Sequence, residues 1–179
     1  MDSELRMLIN NLTQDIIDAY QIQIPILDID YVVTKQLGGR IEESLNIENM
    51  SDGSVRKEGN GFVIYVSPFQ TVERRTFTIA HELGHLFLHM GYVINQELWE
   101  QPANETYYRF GDSLKEYQAN EFAAAFLMPK TTYKEVMDRF TNGNIVETGK
   151  VADYFKVSVS AASNRGKFLG YLQWYYCQD

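Results

Sequence analysis

Three histidines and a glutamate lie within nine residues of one another, and their spacing suits metal binding. His81, Glu82 and His85 form the pattern His-Glu-x-x-His. Residues four apart share one face of a helix, about 6 Å apart, so the two histidines can hold a single ion between them. Glu82 lies about 100° around the helix, from where it can take a proton from water beside the ion. The pattern predicts a metal-dependent hydrolase.

A catalytic zinc ion needs a third protein ligand. His89 lies eight residues after His81, about 12 Å along the helix, so we expect it to have a structural role near the helix end. The ligand should then be a carboxylate on another helix. Glu116 is the preferred candidate, and Glu121, about 140° further around the same helix, is the alternative. Asn120 lies one turn after Glu116 and could hydrogen-bond a histidine, fixing its tautomer.

The helix that carries the histidines has clear boundaries. Thr71 is a suitable N-cap, and the helix is expected to run to Met90 with Gly91 as its stop. Gly84 lies in the middle of this helix, where a glycine costs about 1 kcal/mol relative to alanine. We therefore expect another element to approach the helix closely at Gly84.

The remaining elements are read from hydrophobic periodicity and from turn residues. Further helices are predicted over residues 3–20, 28–37, 113–128, 131–140, 147–156 and 158–166. Strands are predicted over residues 40–45, 61–66, 105–110 and the aromatic tail 168–177, with 53–57 as the middle strand of a hairpin. Helices outnumber strands, and the clearest strands come together early in the chain, which indicates the α+β class.

Length and composition restrict the alternatives. The 179 residues fit a single domain over residues 1–179, with an N-terminal helix (1–20) and a helical, aromatic C-terminal segment (147–179). The longest apolar run is seven residues, whereas a membrane-spanning helix needs about 20. The N-terminus lacks the apolar core of a signal peptide. The single cysteine, Cys177, allows no internal disulfide, so we expect a cytoplasmic protein without membrane contact.

The charge balance argues against direct DNA binding. Sixteen Lys and Arg residues against 24 Asp and Glu give a net charge of −8, whereas non-specific DNA binding depends on neutralising phosphates. The predicted helices over 147–166 have helix-turn-helix spacing. The second of them carries only Arg165 and Lys167 near its end, so we interpret the pair as a packing element.

Two blocks of sequence closely resemble the signature of the ImmA/IrrE family of metallo-endopeptidases. The first, residues 76–89, contains His-Glu-Leu-Gly-His-Leu-Phe-Leu-His. The second, residues 116–129, has the form Glu-x-x-Ala-Asn-x-Phe-Ala-Ala-x-Phe-Leu-Met-Pro. A third stretch over 151–170 is similar to the C-terminal segment of the family, and the resemblance spans about residues 20–172.

The resemblance implies a zincin-like fold, in which a small antiparallel sheet packs beside the active-site helix and the C-terminal part is helical. It implies His81, His85 and Glu116 as ligands of one Zn²⁺ per chain and Glu82 as catalytic base. This ligand set also suits other divalent metals. Family members include proteases that cleave helix-turn-helix repressors of mobile elements or stress regulons, so the implied partner is such a regulator.

The sequence leaves open the oxyanion donor, the place where a peptide binds and whether the substrate is cleaved at all. The donor that stabilises the oxyanion could be Tyr107, Tyr108, Arg109 or His89, and a peptide could bind along the predicted strand 105–110. The alternative function is a regulatory binding module that inactivates a repressor or toxin partner without cleavage.

Overall fold

The computed structural model describes residues 2–45, 52–101 and 113–173. These residues form eight α-helices: α1 (Ser3–Ala19), α2 (Ile29–Tyr31), α3 (Val72–Leu88), α4 (Gln96–Glu100), α5 (Ser113–Leu127), α6 (Lys130–Arg139), α7 (Thr148–Phe155) and α8 (Val159–Phe168). α2 continues into a π-helical turn over Val32–Gln36. The five strands of the described chain are β1 (Arg40–Glu43), β2 (Gly53–Glu58), β3 (Gly61–Val66), β4 (Thr141–Asn142) and β5 (Ile145–Val146). The α+β, zincin-like class is confirmed.

The first three strands form a sheet in the order β1-β3-β2. β2 and β3 form an antiparallel hairpin, in which Glu58 lies opposite Gly61. β1 pairs with β3 in parallel, with Arg40 opposite Val63, so the sheet is mixed and the expectation of an antiparallel sheet holds only for the hairpin. The strand predicted over 53–57 is β2, which follows β1 in the chain and forms the hairpin with β3. In the sheet itself β3 is the central strand, and four of its six residues are buried.

The boundaries of α3 follow from its capping residues. The side chain of Thr71 accepts a hydrogen bond from the backbone N–H of Arg74, as expected for an N-cap. The helix ends at Leu88 with His89 as its C-cap, two residues before the predicted end. Gly91 then adopts a φ of +77°, a left-handed conformation that glycine takes without strain.

Close packing of α3 on α5 depends on Gly84. A Cβ atom at this position would lie 2.9 Å from the Cα of Ala119 and 3.2 Å from the Cβ of Phe122. The close approach predicted for this glycine is therefore confirmed. It brings the backbones of the two helices together at the level of the histidines.

The C-terminal helices are joined to the rest of the core by a buried ion pair. Arg165 of α8 is 1% exposed, and its Nη1 lies 2.9 Å from the carboxylate of Glu121 in α5. Its Nη2 donates to the side-chain oxygen of Asn10 in α1. Because Arg165 is buried among these partners, it is not available to a DNA phosphate.

Several elements differ from the sequence prediction. The chain also forms α4 and a short β4–β5 hairpin, neither of which was predicted. α8 runs to Phe168 and residues 169–173 contain no strand, so the described part of the tail does not support a strand there. The predicted strand 105–110 and the end of the tail, including Cys177, lie outside the described residues. None of the described helices is both long and apolar enough to cross a lipid bilayer.

Candidate metal centre

Three side chains from α3 and α5 bring their ligand atoms together. The Nε2 atoms of His81 and His85 are 3.0 Å apart. One carboxylate oxygen of Glu116 lies 3.3 Å from the Nε2 of His81, and the other lies 3.3 Å from that of His85. A tetrahedral ion with bonds of about 2.0–2.1 Å holds its ligand atoms about 3.3 Å apart. The three donors therefore fit one divalent cation.

The charge of this group also suits a cation. The adjoining imidazoles of His81 and then His85 hold the pKa of Glu116 well below its usual range, so its carboxylate is ionised at neutral pH. Both histidines are buried. Buried lone pairs beside a half-buried negative charge are costly unless a positive charge lies among them, and a divalent ion supplies that charge.

Asn120 lies against the outer side of His81. Its side-chain oxygen is 3.0 Å from the Nδ1 of His81. An amide oxygen only accepts hydrogen bonds, so Nδ1 carries the proton and donates it. In a neutral imidazole this leaves a lone pair on Nε2, the nitrogen that faces Glu116. The contact can fix the tautomer that metal binding requires.

Glu82 belongs to α3 but lies apart from the ligand atoms. It is buried, and its Oε1 would lie 3.2 Å from a Cβ atom placed on Gly53. Gly53 is the first residue of β2, so the carboxylate lies between α3 and the start of this strand. Sequence reasoning missed the role of Gly53, because a glycine in a polar stretch gives no sign of a long-range neighbour.

His89 makes more contacts than the structural role expected for it. Its Nδ1 lies 3.0 Å from the Nδ1 of His85, and its Nε2 lies 2.9 Å from the side-chain oxygen of Gln118. Burial lowers the pKa of His89 to about 4, although the hydrogen bond with Gln118 opposes this effect. The spacing of four residues after His85 was the signal for this contact. Both ring nitrogens are engaged, so His89 does not present a free donor to an oxyanion.

Glu121, the alternative third ligand, faces a different part of the protein. Its carboxylate binds Arg165 and also lies 3.1 Å from the Nε of Arg6. Within the described residues, His81, His85 and Glu116 are the group whose ligand atoms converge on one point. The other oxyanion candidates, Tyr107, Tyr108 and Arg109, lie outside the described residues.

A groove of about 940 Å³ reaches the partner of His81, although none of the three ligands and not Glu82 lines it. Asn120, which contacts His81, is one of its lining residues. The groove extends between α3, α5 and the C-terminal helices, where apolar side chains such as Phe77, Ala161 and Phe168 line it. It is therefore large enough and apolar enough to receive a side chain of a bound polypeptide.

One comparison with known proteins covers the residues of this site, and a second concerns the fold. The family model Peptidase_M78, described as an IrrE N-terminal-like domain, matches residues 39–167. A solved structure described as a Mycobacterium tuberculosis transcriptional regulator is similar with a TM-score of 0.58 and 14% identity, over 92% of this chain and 46% of that chain. At this identity the likeness concerns the fold alone, and this chain spans about half the length of that protein.

No curated protein matches the sequence at a significant level. The family match covers both blocks that carry the resemblance, and thus all three converging side chains and Glu82. The chain belongs to the ImmA/IrrE family of metallopeptidase-type domains.

Proposed function

We propose that this protein is a zinc-dependent endopeptidase that acts on a protein substrate in the cytoplasm. The observation that carries the proposal is the convergence of His81, His85 and Glu116 at distances suited to one ion. Two imidazole nitrogens and a carboxylate are a common donor set for catalytic zinc, although other divalent ions accept the same donors. When bound, such an ion polarises a peptide carbonyl and acidifies a coordinated water.

Each side chain of the site would have a separate role in the reaction. His81, His85 and Glu116 hold the ion, and Asn120 keeps the Nε2 of His81 free of a proton. Glu82 accepts a proton on its carboxylate from the attacking water and passes it to the leaving amine. Its position between α3 and β2 leaves it outside the ligand set.

The substrate would bind along the edge of the sheet. Among the described residues β2 pairs only with β3, so its other edge can accept an extended peptide as an added strand. Gly53, where β2 begins, lies next to Glu82, which brings such a peptide to the catalytic carboxylate. The groove beside Asn120 would then receive one substrate side chain.

The substrate class we propose is a helix-turn-helix transcriptional regulator of a mobile element or stress response. Membership of the ImmA/IrrE family supports this choice. Cleavage of a repressor requires a segment that can lie extended in the site, such as the linker between its domains.

The experiment compares wild type with Glu82→Gln. Each protein is produced together with a helix-turn-helix regulator encoded beside its gene, under inducing conditions, and the regulator is examined by intact-mass measurement. Wild type should yield two fragments. Glu82→Gln should keep the metal and the bound regulator but cleave it about 10²–10⁴-fold more slowly, since this is the usual contribution of a general base.

A second measurement does not depend on the choice of regulator. New protein N-termini are labelled in cells that contain wild type or Glu82→Gln, and termini seen only with wild type identify substrates. If both proteins relieve repression equally while the regulator stays whole, the protein is a binding module and the protease proposal is wrong.

A further inference from the structure

We infer that His89 and Gln118 are positioning residues for the metal ligand His85. Together they hold the imidazole of His85 in the tautomer whose Nε2 lone pair faces the metal site. The inference rests on the proposed metal site, and it concerns two side chains that lie outside the ligand set. It predicts an effect on metal affinity that does not depend on whether any peptide is cleaved.

The protons along this chain can be assigned from its far end. The side-chain oxygen of Gln118 can only accept a hydrogen bond, so the Nε2 of His89, at 2.9 Å, must donate one. A neutral imidazole carries a single ring proton. With that proton on Nε2, the Nδ1 of His89 holds a lone pair.

The same reasoning then fixes His85. Its Nδ1 lies 3.0 Å from the Nδ1 of His89, and one of the two must donate. The lone pair of His89 makes it the acceptor, so His85 donates from Nδ1. A neutral His85 consequently presents a lone pair on Nε2, which lies 3.3 Å from Glu116 and 3.0 Å from the Nε2 of His81.

The opposite arrangement of protons would block the site. If the amide nitrogen of Gln118 donated to His89, then His89 would donate to the Nδ1 of His85. The remaining proton of His85 would lie on Nε2 and point at the other ligands. Only the first arrangement permits coordination, and the orientation of the Gln118 amide selects it.

Both ligand histidines are thus linked to α5, His81 directly through Asn120 and His85 indirectly through His89 and Gln118. Ala119, which contacts Gly84, lies between Gln118 and Asn120 in the sequence, and each neighbour is about 100° from it around the helix. Gln118 therefore reaches His89 on one side of the helix contact, while Asn120 reaches His81 on the other. Outer partners of metal-bound histidines typically contribute about 10- to 100-fold to metal affinity.

The test uses pairs of variants that differ in their ability to accept a hydrogen bond. Gln118→Glu keeps an acceptor at the end of the chain, whereas Gln118→Met has a similar size and no comparable acceptor. Likewise His89→Gln can accept from His85, whereas His89→Phe cannot. Zinc affinity of each full-length protein is measured by competition with a chromophoric chelator, at a temperature at which its circular dichroism spectrum matches that of wild type.

We expect Gln118→Met and His89→Phe to bind zinc about 10- to 100-fold more weakly than wild type. Gln118→Glu and His89→Gln should restore the affinity to within a few-fold of wild type. A merely structural role would not separate the two members of each pair in this way. Equal affinities within both pairs, whether weakened or unchanged, would overturn the inference.

A spectroscopic measurement on the zinc-loaded protein tests the proton assignment directly. The chain contains only three histidines, so ¹⁵N NMR of the labelled rings can resolve each one. In wild type His89 should carry its proton on Nε2 and none on Nδ1. A proton on Nδ1 of His89 would contradict the inference. Failure of the protease proposal would instead appear as absent cleavage with these affinities and spectra unchanged.

Discussion

Arg165 Nη1 and the carboxylate of Glu121 lie 2.9 Å apart in a buried pair that joins α8 to α5. The Nε of Arg165 also donates to the carbonyl of Met128 at 3.0 Å. Burial lowers the pKa of the guanidinium, and the nearby carboxylate of Glu121 opposes this effect. Glu121 therefore neutralises a buried charge, whereas Glu116, five residues earlier on the same helix, faces the histidines. This difference gives two acidic residues of one helix separate roles.

Substitution of Glu116 should affect metal affinity, whereas substitution of Glu121 should affect the stability of the fold. Glu116→Ala should lower metal affinity by orders of magnitude, because it removes a ligand, with little change in the stability of the metal-free protein. Glu121→Ala should keep the metal affinity but lower the free energy of unfolding by about 3–5 kcal/mol, the usual cost of leaving a buried charge without its partner. Chelator competition measures affinity, and urea titration of the metal-free proteins measures stability. A folded Glu121→Ala protein that binds metal poorly would make Glu121 the ligand.

Gly84 should not tolerate a methyl group. Alanine favours a helix by about 1 kcal/mol relative to glycine, but at this position its Cβ would meet the backbone of Ala119. We expect Gly84→Ala to destabilise the protein by about 1–3 kcal/mol, as overpacking of a core usually does. Metal affinity should fall as well, because α3 carries the histidines and α5 carries Glu116.

Gly149 in α7 provides a matched control for Gly84. A Cβ atom there would meet nothing within 4 Å, so Gly149→Ala should be neutral or slightly stabilising. Denaturant titration of both variants compares the same substitution in a crowded and in an open helix. Equal stability of Gly84→Ala and wild type would show that α3 and α5 can separate at no cost.

The sequence predicted the parts of this protein that depend on local chemistry. The N-cap at Thr71 and the close approach at Gly84 follow from properties of single residues, and Gly91 predicted the end of α3 to within two residues. Glu116 was the preferred ligand because it lies one turn before Asn120 on the same helix face and because residues 116–129 resemble the family signature. The structure places it beside the histidines. Helical spacing and a sequence signature can both be read without knowing any contact between distant residues.

The features that sequence reasoning missed depend on contacts between distant residues. The parallel pairing of β1 with β3 is not visible locally, since a strand carries no mark of its neighbour's direction. α4 is five residues long and has no buried residue, so it leaves no hydrophobic period. The contact between His89 and Gln118 joins residues 29 positions apart, and either side chain alone is compatible with many environments.

The low pKa of His89 has a measurable effect on stability in acid. Its pKa is about 4 in the folded protein and about 6.5 in an unfolded chain. Between these values the unfolded chain binds a proton that the folded protein does not, so the free energy of unfolding falls as the pH is lowered from 6.5 to 4. At about 1.4 kcal/mol per pKa unit, the loss is on the order of 3 kcal/mol.

His89→Gln cannot titrate and should lack this loss. The two proteins are compared by urea titration at pH 7 and pH 5 with a chelator present, so that protons do not compete with metal for His81 and His85. Wild type should lose more stability than His89→Gln between these two pH values. Parallel losses in the two proteins would mean that His89 takes up its proton as readily when folded as when unfolded.

The groove beside Asn120 predicts where substrate specificity can be changed. Ala161 of α8 lines this groove, and it belongs to neither the ligand set nor its hydrogen-bond partners. Ala161→Trp should fill the part of the groove that we propose receives a substrate side chain. A peptide that loses the burial of one apolar side chain loses about 1.5–3 kcal/mol, which corresponds to an increase in KM of about 10- to 100-fold. Zinc affinity should be unchanged, and Ala161→Ser, which adds a single oxygen, should cleave the regulator like wild type.

Initial rates over a range of regulator concentrations measure KM, and chelator competition measures zinc affinity. An unchanged KM for a folded, zinc-loaded Ala161→Trp protein would mean that the substrate does not enter the groove and binds along the edge of β2 alone.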